Sequence, residues 1–388
     1  SVRQDSDTCA LLRYENLIAK ANLSPVPQHV GEMGAAKIIM YTSGTTGRAK
    51  AVKHSHTSLA RALDNGIEGW SLDNRDIMLM PSPVTHVTGF ANGIELPFLS
   101  DCKSAFMERW DVDLAAAYIQ RIGATGCVSA TPFLQELVEK AKRDSLGLPT
   151  LRFFACGGAS VPPTLIHDVH NTLENCRAFR VYGCTEAPLI TVGFIRPEDA
   201  QFAATTDGLI SHWDVKVVDD EGNTLAQGLD GELLVKGPAL MLGYGEEEQT
   251  RQSMDNHGYF QTGDIGHISA EGAIIITDRK KDIIIRGGEN ISAREIEDVL
   301  HQHALISEAA VVAMPHPRLG EGVCACLVTK NAAVITLADL TLFFEKSGLA
   351  KQKWPQRIEL CDELEKTASG KVRKDVLRFK VKTLVEAK

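Results

Sequence analysis

The sequence predicts an α/β chain. A large N-terminal domain of αβ sheet layers carries a small β-barrel-like part, and a smaller α+β C-terminal domain follows. Three observations predict this. Up to about residue 205, short β-rich runs alternate with helical patterns, the signature of a parallel sheet with crossover helices. From about 205 to 278, short strands are split by Gly- and Asp-rich turns, the pattern of a curled sheet or small barrel. After Asp278 the alternation resumes, with enough chain left for one more domain. The expected boundaries are 1–281, with 205–278 as the β-rich subdomain, and 282–388.

The elements follow in order. Lys37 to Tyr41 is an apolar run bounded by turn residues and reads as a buried strand; His54 to Gly66 reads as a helix. Strands are expected at Asp76–Met80, Gly126–Ser129, Arg152–Cys156 and Phe179–Tyr182. Helices are expected at Leu114–Arg121, Pro132–Arg143 and Pro163–Leu173. The β-rich part offers Val215–Val218, Glu232–Val235 and Ala273–Ile276. The last part offers a helix at Ala293–His301, strands at Glu308–Met314 and Val323–Lys330, a helix at Thr336–Lys346 and a basic helix from Val372. The charge run Asp278 to Asp282 reads as a solvated turn.

Composition excludes several functions. The 388 residues hold 41 Lys plus Arg against 50 Asp plus Glu, a formal net charge of −9, so a nucleic-acid-binding surface is not expected. No apolar run approaches the roughly 18–20 residues that span a bilayer. Ser1 to Asp5 are polar and lead into no apolar h-region, so no signal peptide is read. Nine scattered cysteines, an odd number, then read as free thiols of a reducing cytoplasm.

The strongest local signal is Thr42-Ser43-Gly44-Thr45-Thr46-Gly47-Arg48-Ala49-Lys50, placed after one strand and before a helix. Small residues let backbone N–H groups approach an anion, hydroxyls add donors and Lys50 adds charge. It is not a P-loop, which would end in Gly-Lys-Ser/Thr. On its own the stretch is as consistent with a structural turn as with a phosphate site. Further motifs follow in order: Ala155-Cys156-Gly157-Gly158-Ala159, Tyr182-Gly183-Cys184-Thr185-Glu186, Gly231-Glu232, Tyr259 to Asp264, Asp278-Arg279, Arg286-Gly287-Gly288-Glu289-Asn290 and Lys366 to Lys371.

In this ordered set the sequence resembles the adenylate-forming superfamily of acyl-CoA synthetases, peptide-synthetase adenylation domains and luciferases. Within it the sequence is most similar to bacterial fatty-acyl-CoA and cyclohexanecarboxylate-CoA ligases. The resemblance runs from Thr42 to Lys371. It implies two half-reactions: a carboxylate attacks the α-phosphate of ATP to give acyl-AMP and pyrophosphate, then coenzyme A takes the acyl group and AMP leaves. The charge on attacking and leaving oxygens calls for Lys, N–H donors and Mg²⁺.

The resemblance also implies roles. Thr42 to Lys50 would wrap the β- and γ-phosphates. Gly157, Gly158 and Ala159 would line the adenine slot, with Tyr182 stacked on the base and Gly183 beside it. Thr185 would bond the α-phosphate and Glu186 would hold Mg²⁺. Asp264 and Arg279 would take the ribose. Lys371 would bridge carboxylate and α-phosphate. Lys281 matches the hinge on which the small, mobile C-terminal domain rotates between half-reactions, bringing Arg286, Gly287 and Gly288 to the coenzyme A side. His86 matches the gate of the acyl pocket, with Gly89, Phe90, Thr131, Cys184 and Leu189 as further walls. These are mostly small or apolar, so an uncharged acyl group is expected, from a short- or medium-chain or alicyclic carboxylic acid.

Some features read as structural. His54-Ser55-His56 lacks a third metal ligand and reads as a solvated helix start. Cys324 and Cys326 read as one buried strand face, and the basic C-terminal helix as a solvated face apart from Lys371. Against the family pattern, Ala49 and Glu365 stand where Pro is usual, and only 41 residues precede the phosphate loop. A chain short at its start exposes apolar surface, for which a second copy is one expected partner. Two alternatives to the coenzyme A ligase therefore stay open: an acyl-AMP ligase loading a separate carrier protein, and a nucleotide-binding chain without turnover.

Overall fold

The computed structural model describes residues 32, 34–42, 49–158, 161–367 and 371–386. Ser43 to Gly47 of the phosphate loop and Ala159 of the expected adenine slot lie outside the described residues.

The chain enters through an antiparallel pair, β1 (Ala36–Thr42) and β2 (Lys50–Ser55), with Thr42 opposite Lys50. This corrects two expectations. The Gly/Thr-rich loop joins two strands rather than a strand and a helix, and the helix placed from His54 starts only at His56. The period-2 alternation of Lys50 to Ser55 decides it: Val52 and His54 face inward while Lys53 is partly exposed. Helix α1 (His56–Gly69) then opens with a capping box, Ser55 and Ser58 each bonding the other's backbone N–H. Nor is β1 buried: it is an edge strand, and Ile39 and Tyr41 are exposed while Met40 is buried.

The expected parallel sheet is present. It holds β3 (Ile77–Met80), β4 (Lys103–Phe106), β5 (Gly126–Ser129), β6 (Phe153–Cys156) and β7 (Arg177–Arg180) in the order β4-β3-β5-β6-β7, all parallel. Helices α2 (Val112–Ile122), α3 (Thr131–Asp144) and α4 (Pro163–Thr172) supply the crossovers from β4 to β7. Both faces are covered, so the strands read as continuous apolar runs rather than alternating ones. Trp70, Phe153 and Phe179 cluster at the centre, with centroids 5.5 to 6.4 Å apart.

A short pair, β8 (Thr191–Val192) and β9 (Leu209–Ile210), leads into a four-stranded antiparallel sheet: β10 (Asp214–Val218), β11 (Gly231–Lys236), then, past β12 (Gly243–Tyr244), β13 (Phe260–Ile268) and β14 (Ile274–Arg279). Its longest strand, β13, was not expected from the sequence, because Gly263, Asp264 and Gly266 mask its alternation. Strand β12 leaves this part of the chain and pairs with β2.

The last part holds the hairpin β15 (Ile284–Arg286) and β16 (Glu289–Ile291), helix α5 (Ala293–Leu300), strands β17 (Ile306–His316) and β18 (Gly320–Thr329), helix α6 (Leu337–Ser347), strand β19 (Arg357–Leu360) and helix α7 (Lys374–Glu386). Cys324 and Cys326 are buried on one face of β18 against Leu377 and Val381, as expected. The C-terminal helix is not merely solvated: Lys374 bonds buried Glu297 at 2.7 Å, and Arg378 bonds Asp282. The charge run 278–282 is not a solvated turn either. Asp278 is buried, and one of its oxygens accepts from the Ala293 N–H at 2.7 Å. Among the described residues no helix is long and apolar enough to cross a membrane, and the eight cysteines are free thiols.

Candidate active site

In an open parallel sheet, ligands bind past the C-terminal ends of the strands, at the point where strand order reverses. Here β3 neighbours both β4 and β5, so the reversal lies at β3/β5. A cavity of about 1100 Å³ opens there. Its wall includes Ser82 after β3, Ser129 and Ala130 at the end of β5, Gly157 and Gly158 after β6, and Val181 to Glu186 after β7. The Ser82 and Ser129 hydroxyls bond each other at 2.9 Å across the reversal. The strand register therefore delivers the motif residues to one place, though up to about 100 residues separate them.

Two carboxylates organise the wall. Asp264 on β13 lies opposite Arg279 on β14, and Arg279 Nε donates to Asp264 Oδ1 at 2.6 Å. The Tyr182 hydroxyl donates to the other oxygen at 2.8 Å. Asp264 is buried with both oxygens occupied. Its charge holds the Arg279 guanidinium firmly protonated, and burial together with Asp264 pushes the Tyr182 phenol upward. Glu186, the second carboxylate, lines the cavity, and its Oε1 accepts from the Tyr244 hydroxyl at 2.8 Å. Neighbouring Cys184 has its thiol raised by burial and by Glu186, so it stays neutral as a wall residue.

Lys371 reaches this cavity from the C-terminal part, between β19 and α7. Gly158 makes room for it: its φ is +81°, and a Cβ there would sit 3.3 Å from Lys371 Cε. Burial, and next the charge of Arg279, lower the Lys371 ammonium below the usual lysine range. Among the described residues Lys371 forms no ion pair. His86 also lines the cavity; its Nδ1 accepts from the Thr88 N–H at 3.2 Å, and burial with the nearby Lys371 charge brings it down to about 4. Its imidazole is therefore neutral at ordinary pH.

Of the residues expected from sequence, Thr42, Lys50, His86, Gly157, Gly158, Tyr182, Gly183, Cys184, Thr185, Glu186, Leu189, Arg279, Lys281 and Lys371 line the cavity. Asp264 sits just behind it, holding two wall residues. Gly89, Phe90 and Thr131 do not line it: Gly89 and Phe90 lie in the helical turns after His86, and Thr131 is the buried first residue of α3. Arg286, Gly287 and Gly288 are also elsewhere. They form the tight β15–β16 turn, with φ of +61° and +89° at the two glycines, and Arg286 donates to the Gln352 carbonyl.

One wall residue has no signal in the sequence: Tyr244 sits in Gly243-Tyr244-Gly245, a stretch with no chemical signature. Glu232, of the Gly231-Glu232 motif, also lines the cavity and bonds Lys280 at 2.9 Å and the Gly263 N–H at 3.3 Å. A misreading concerns His54, which is fully buried rather than solvated. Its Nε2 donates to the Thr185 carbonyl at 2.7 Å, its Nδ1 bonds the Ser58 hydroxyl at 3.0 Å, and burial lowers its basicity. Among the described residues no three metal-binding side chains cluster, so a ready-made metal cage is absent there.

The cavity at the sheet reversal thus gathers small residues, Glu186, Arg279 braced by Asp264, and Lys371. Residues 5–245 match the family model described as AMP-binding enzyme, and residues 295–371 that of the AMP-binding enzyme C-terminal domain. The chain belongs to the AMP-binding enzyme family. It is 35% identical over 355 residues to the medium-chain fatty-acid–CoA ligase of Escherichia coli, covering 91% of this chain and 62% of that protein. It is 33% identical to the indoleacetate–CoA ligase of Aromatoleum aromaticum, covering 97% of this chain and 73% of that one. The chain thus spans less than two thirds of the Escherichia coli ligase. Among solved structures it resembles ATP-bound MatB from Rhodopseudomonas palustris, at 28% identity and TM-score 0.82, covering 91% of this chain and 70% of that one. Against apo MatB, at 27% identity and the same coverage, the TM-score is 0.70.

Proposed function

We propose that the chain activates a short- or medium-chain or alicyclic carboxylic acid with ATP and passes the acyl group from acyl-AMP to coenzyme A. One observation carries this reading: Lys371, Thr185, Glu186, Tyr182 and Arg279 face a single cavity although they come from the sheet, the β-rich part and the C-terminal part. The names of the relatives, ligases of medium-chain fatty acids and of indoleacetate, agree with an uncharged acyl group.

In this reading Tyr182 and Gly157 to Gly158 take the adenine, the Asp264–Arg279 pair takes the ribose, and Thr185 bonds the α-phosphate. Lys371 is an ammonium with no ion-pair partner among the described residues. It is suited to hold the acid's carboxylate against the α-phosphate and to offset charge that grows on the phosphoryl oxygens. Neutral His86 keeps the acyl side uncharged. Mg²⁺ fits the residues present, because it is commonly held by one carboxylate plus substrate phosphates rather than by a protein cage. Glu186, which lines the cavity with its Oε1 engaged by Tyr244, would be that carboxylate. Bound there, Mg²⁺ would neutralise phosphate charge.

The domain boundary is placed at 281/282. Apolar residues up to Ile276 and from Ile284 onward build separate cores, and Lys281 lies between them on a tight turn closed by the Asp282 N–H on the Arg279 carbonyl, 2.8 Å. With Lys371 in the cavity and the Gly287–Gly288 turn outside it, the arrangement suits adenylation. The higher score against ATP-bound than apo MatB supports the same arrangement. Rotation about Lys281 would exchange the two for thioester formation.

The test is ATP–pyrophosphate exchange over acids from acetate to decanoate, with cyclohexanecarboxylate and benzoate, followed by thioester detection with coenzyme A. Exchange with one acid class and a thioester product is expected. Exchange without thioester would move the reading to a carrier-loading ligase, and AMP binding without exchange to a chain without turnover.

A further inference from the structure

Strand β2 starts at Lys50 and ends at the Ser55 cap, and the Thr185–Glu186 segment is strapped to it from three sides. His54, on β2, donates to the Thr185 carbonyl at 2.7 Å. The Glu186 carbonyl accepts from the Met241 N–H at 2.9 Å, and the segment after Met241 is itself laced to β2: Leu242 N–H to the Lys53 carbonyl at 2.8 Å, Gly245 N–H to the Ala51 carbonyl at 2.7 Å. The third strap is Tyr244. It pairs with Val52 across the β12–β2 ladder, is almost fully buried, and aims its hydroxyl at Glu186 Oε1, 2.8 Å away. Lys50 Nζ lies over the same ring, 4.7 Å from its centroid. One side chain thus touches both charged groups that the proposed function aims at the triphosphate.

We propose that Tyr244 is a positioning residue that holds Glu186 and Lys50 in one arrangement for a magnesium–triphosphate complex. This rests on the proposed role of Glu186. The phenol occupies Oε1 as a donor, which turns the carboxylate so that Oε2, without a partner among the described residues, is the oxygen offered to the cation. A hydrogen bond to a metal-binding carboxylate fixes its orientation, and removing such a partner commonly costs 10–100-fold in metal affinity. The ring face, meanwhile, steadies the Lys50 ammonium by cation–π attraction before the phosphates arrive.

The test titrates Mg²⁺ into the chain saturated with ATP, without acid, by calorimetry. Tyr244→Phe keeps the ring and deletes the hydroxyl; Tyr244→Leu deletes both. The expected result is that Tyr244→Phe weakens Mg²⁺ binding about 10–100-fold, while AMP affinity and the affinity for ATP without Mg²⁺ stay within twofold. Tyr244→Leu should weaken Mg²⁺ equally and also weaken Mg²⁺-free ATP. If the Phe variant binds Mg²⁺ like the unsubstituted chain, the brace is overturned. If AMP affinity falls in parallel, Tyr244 merely supports the fold, which also overturns it. If the unsubstituted chain shows no Mg²⁺-dependent step although it binds AMP, the role of Glu186 fails, and the brace with it.

Discussion

The two sides of the cavity are built on opposite principles. On the side made by the sheet and the β-rich part, the carboxylates are braced: Asp264 holds Arg279 and Tyr182, Glu186 accepts from Tyr244, and Glu232 holds Lys280. On the side supplied by the C-terminal part, Lys371 enters half-buried with no ion-pair partner among the described residues, and burial depresses its ammonium. The first side is held in place by bonds within the protein. The second is a cation waiting for an anion. In the proposed cycle Lys371 acts in one half-reaction and withdraws in the next, and it gains from weak attachment, because a strong ion pair would have to be broken each time.

Removing the waiting cation should break this comparison most sharply. Lys371→Ala is expected to lower ATP–pyrophosphate exchange by about 10²–10³-fold, the usual cost of losing one transition-state donor. Its thermal midpoint should hold or rise, since a desolvated charge is removed. A fall in midpoint alongside activity would show that Lys371 is structural.

On the paired side the effects should fall on stability as well. Asp264→Asn leaves the Arg279 guanidinium without its counter-charge and should cost about 1–3 kcal/mol in urea unfolding, with AMP binding weakened in parallel. Unchanged stability would mean the pair is dispensable to the fold.

Gly158 joins the two sides. Gly158→Ala places a side chain at positive φ and close to Lys371 Cε, so about 1–2 kcal/mol of stability is expected to be lost, with a larger fall in kcat than in AMP affinity. Equal losses in both would show that only the adenine slot was disturbed.

The smallest expected effect concerns charge across the cavity. The His86 imidazole titrates at about 4, brought down by burial and then by Lys371. The protonated form is therefore disfavoured in the folded chain, and no change at His86 should occur between pH 5 and 8. A nuclear magnetic resonance titration of its ring proton should find the midpoint near 4, moving upward in Lys371→Ala. A midpoint at the ordinary value of 6.5 would mean the ring is exposed.

Much of this site was legible in the chain. Tyr182, Thr185, Glu186, Arg279 and Lys371 were each named from motifs, because their chemistry requires particular residue types at short, ordered spacing, and all five face the cavity. What was not legible had no local signal. His54 was misread because a polar His-Ser-His stretch looks solvated; its burial depends on a carbonyl 131 residues away. Tyr244 reaches Glu186 only because β12 leaves its own neighbours to pair with β2. Gly89, Phe90 and Thr131 are grouped with the acyl wall by the resemblance, and none of the three lines the cavity.

The sequence by itself determined the alternation that makes the parallel sheet, the antiparallel β-rich insertion, and which residue types stand ready for phosphate, ribose and carboxylate. These are local properties, set by period, turn chemistry and side-chain donors within a few residues. Only the tertiary structure decided which carboxylate oxygen is occupied, which histidine is buried neutral and that Lys371 enters the cavity. Those outcomes depend on strand register and on groups brought together across the chain, and burial, not residue type, then sets whether a charge is satisfied or held in reserve.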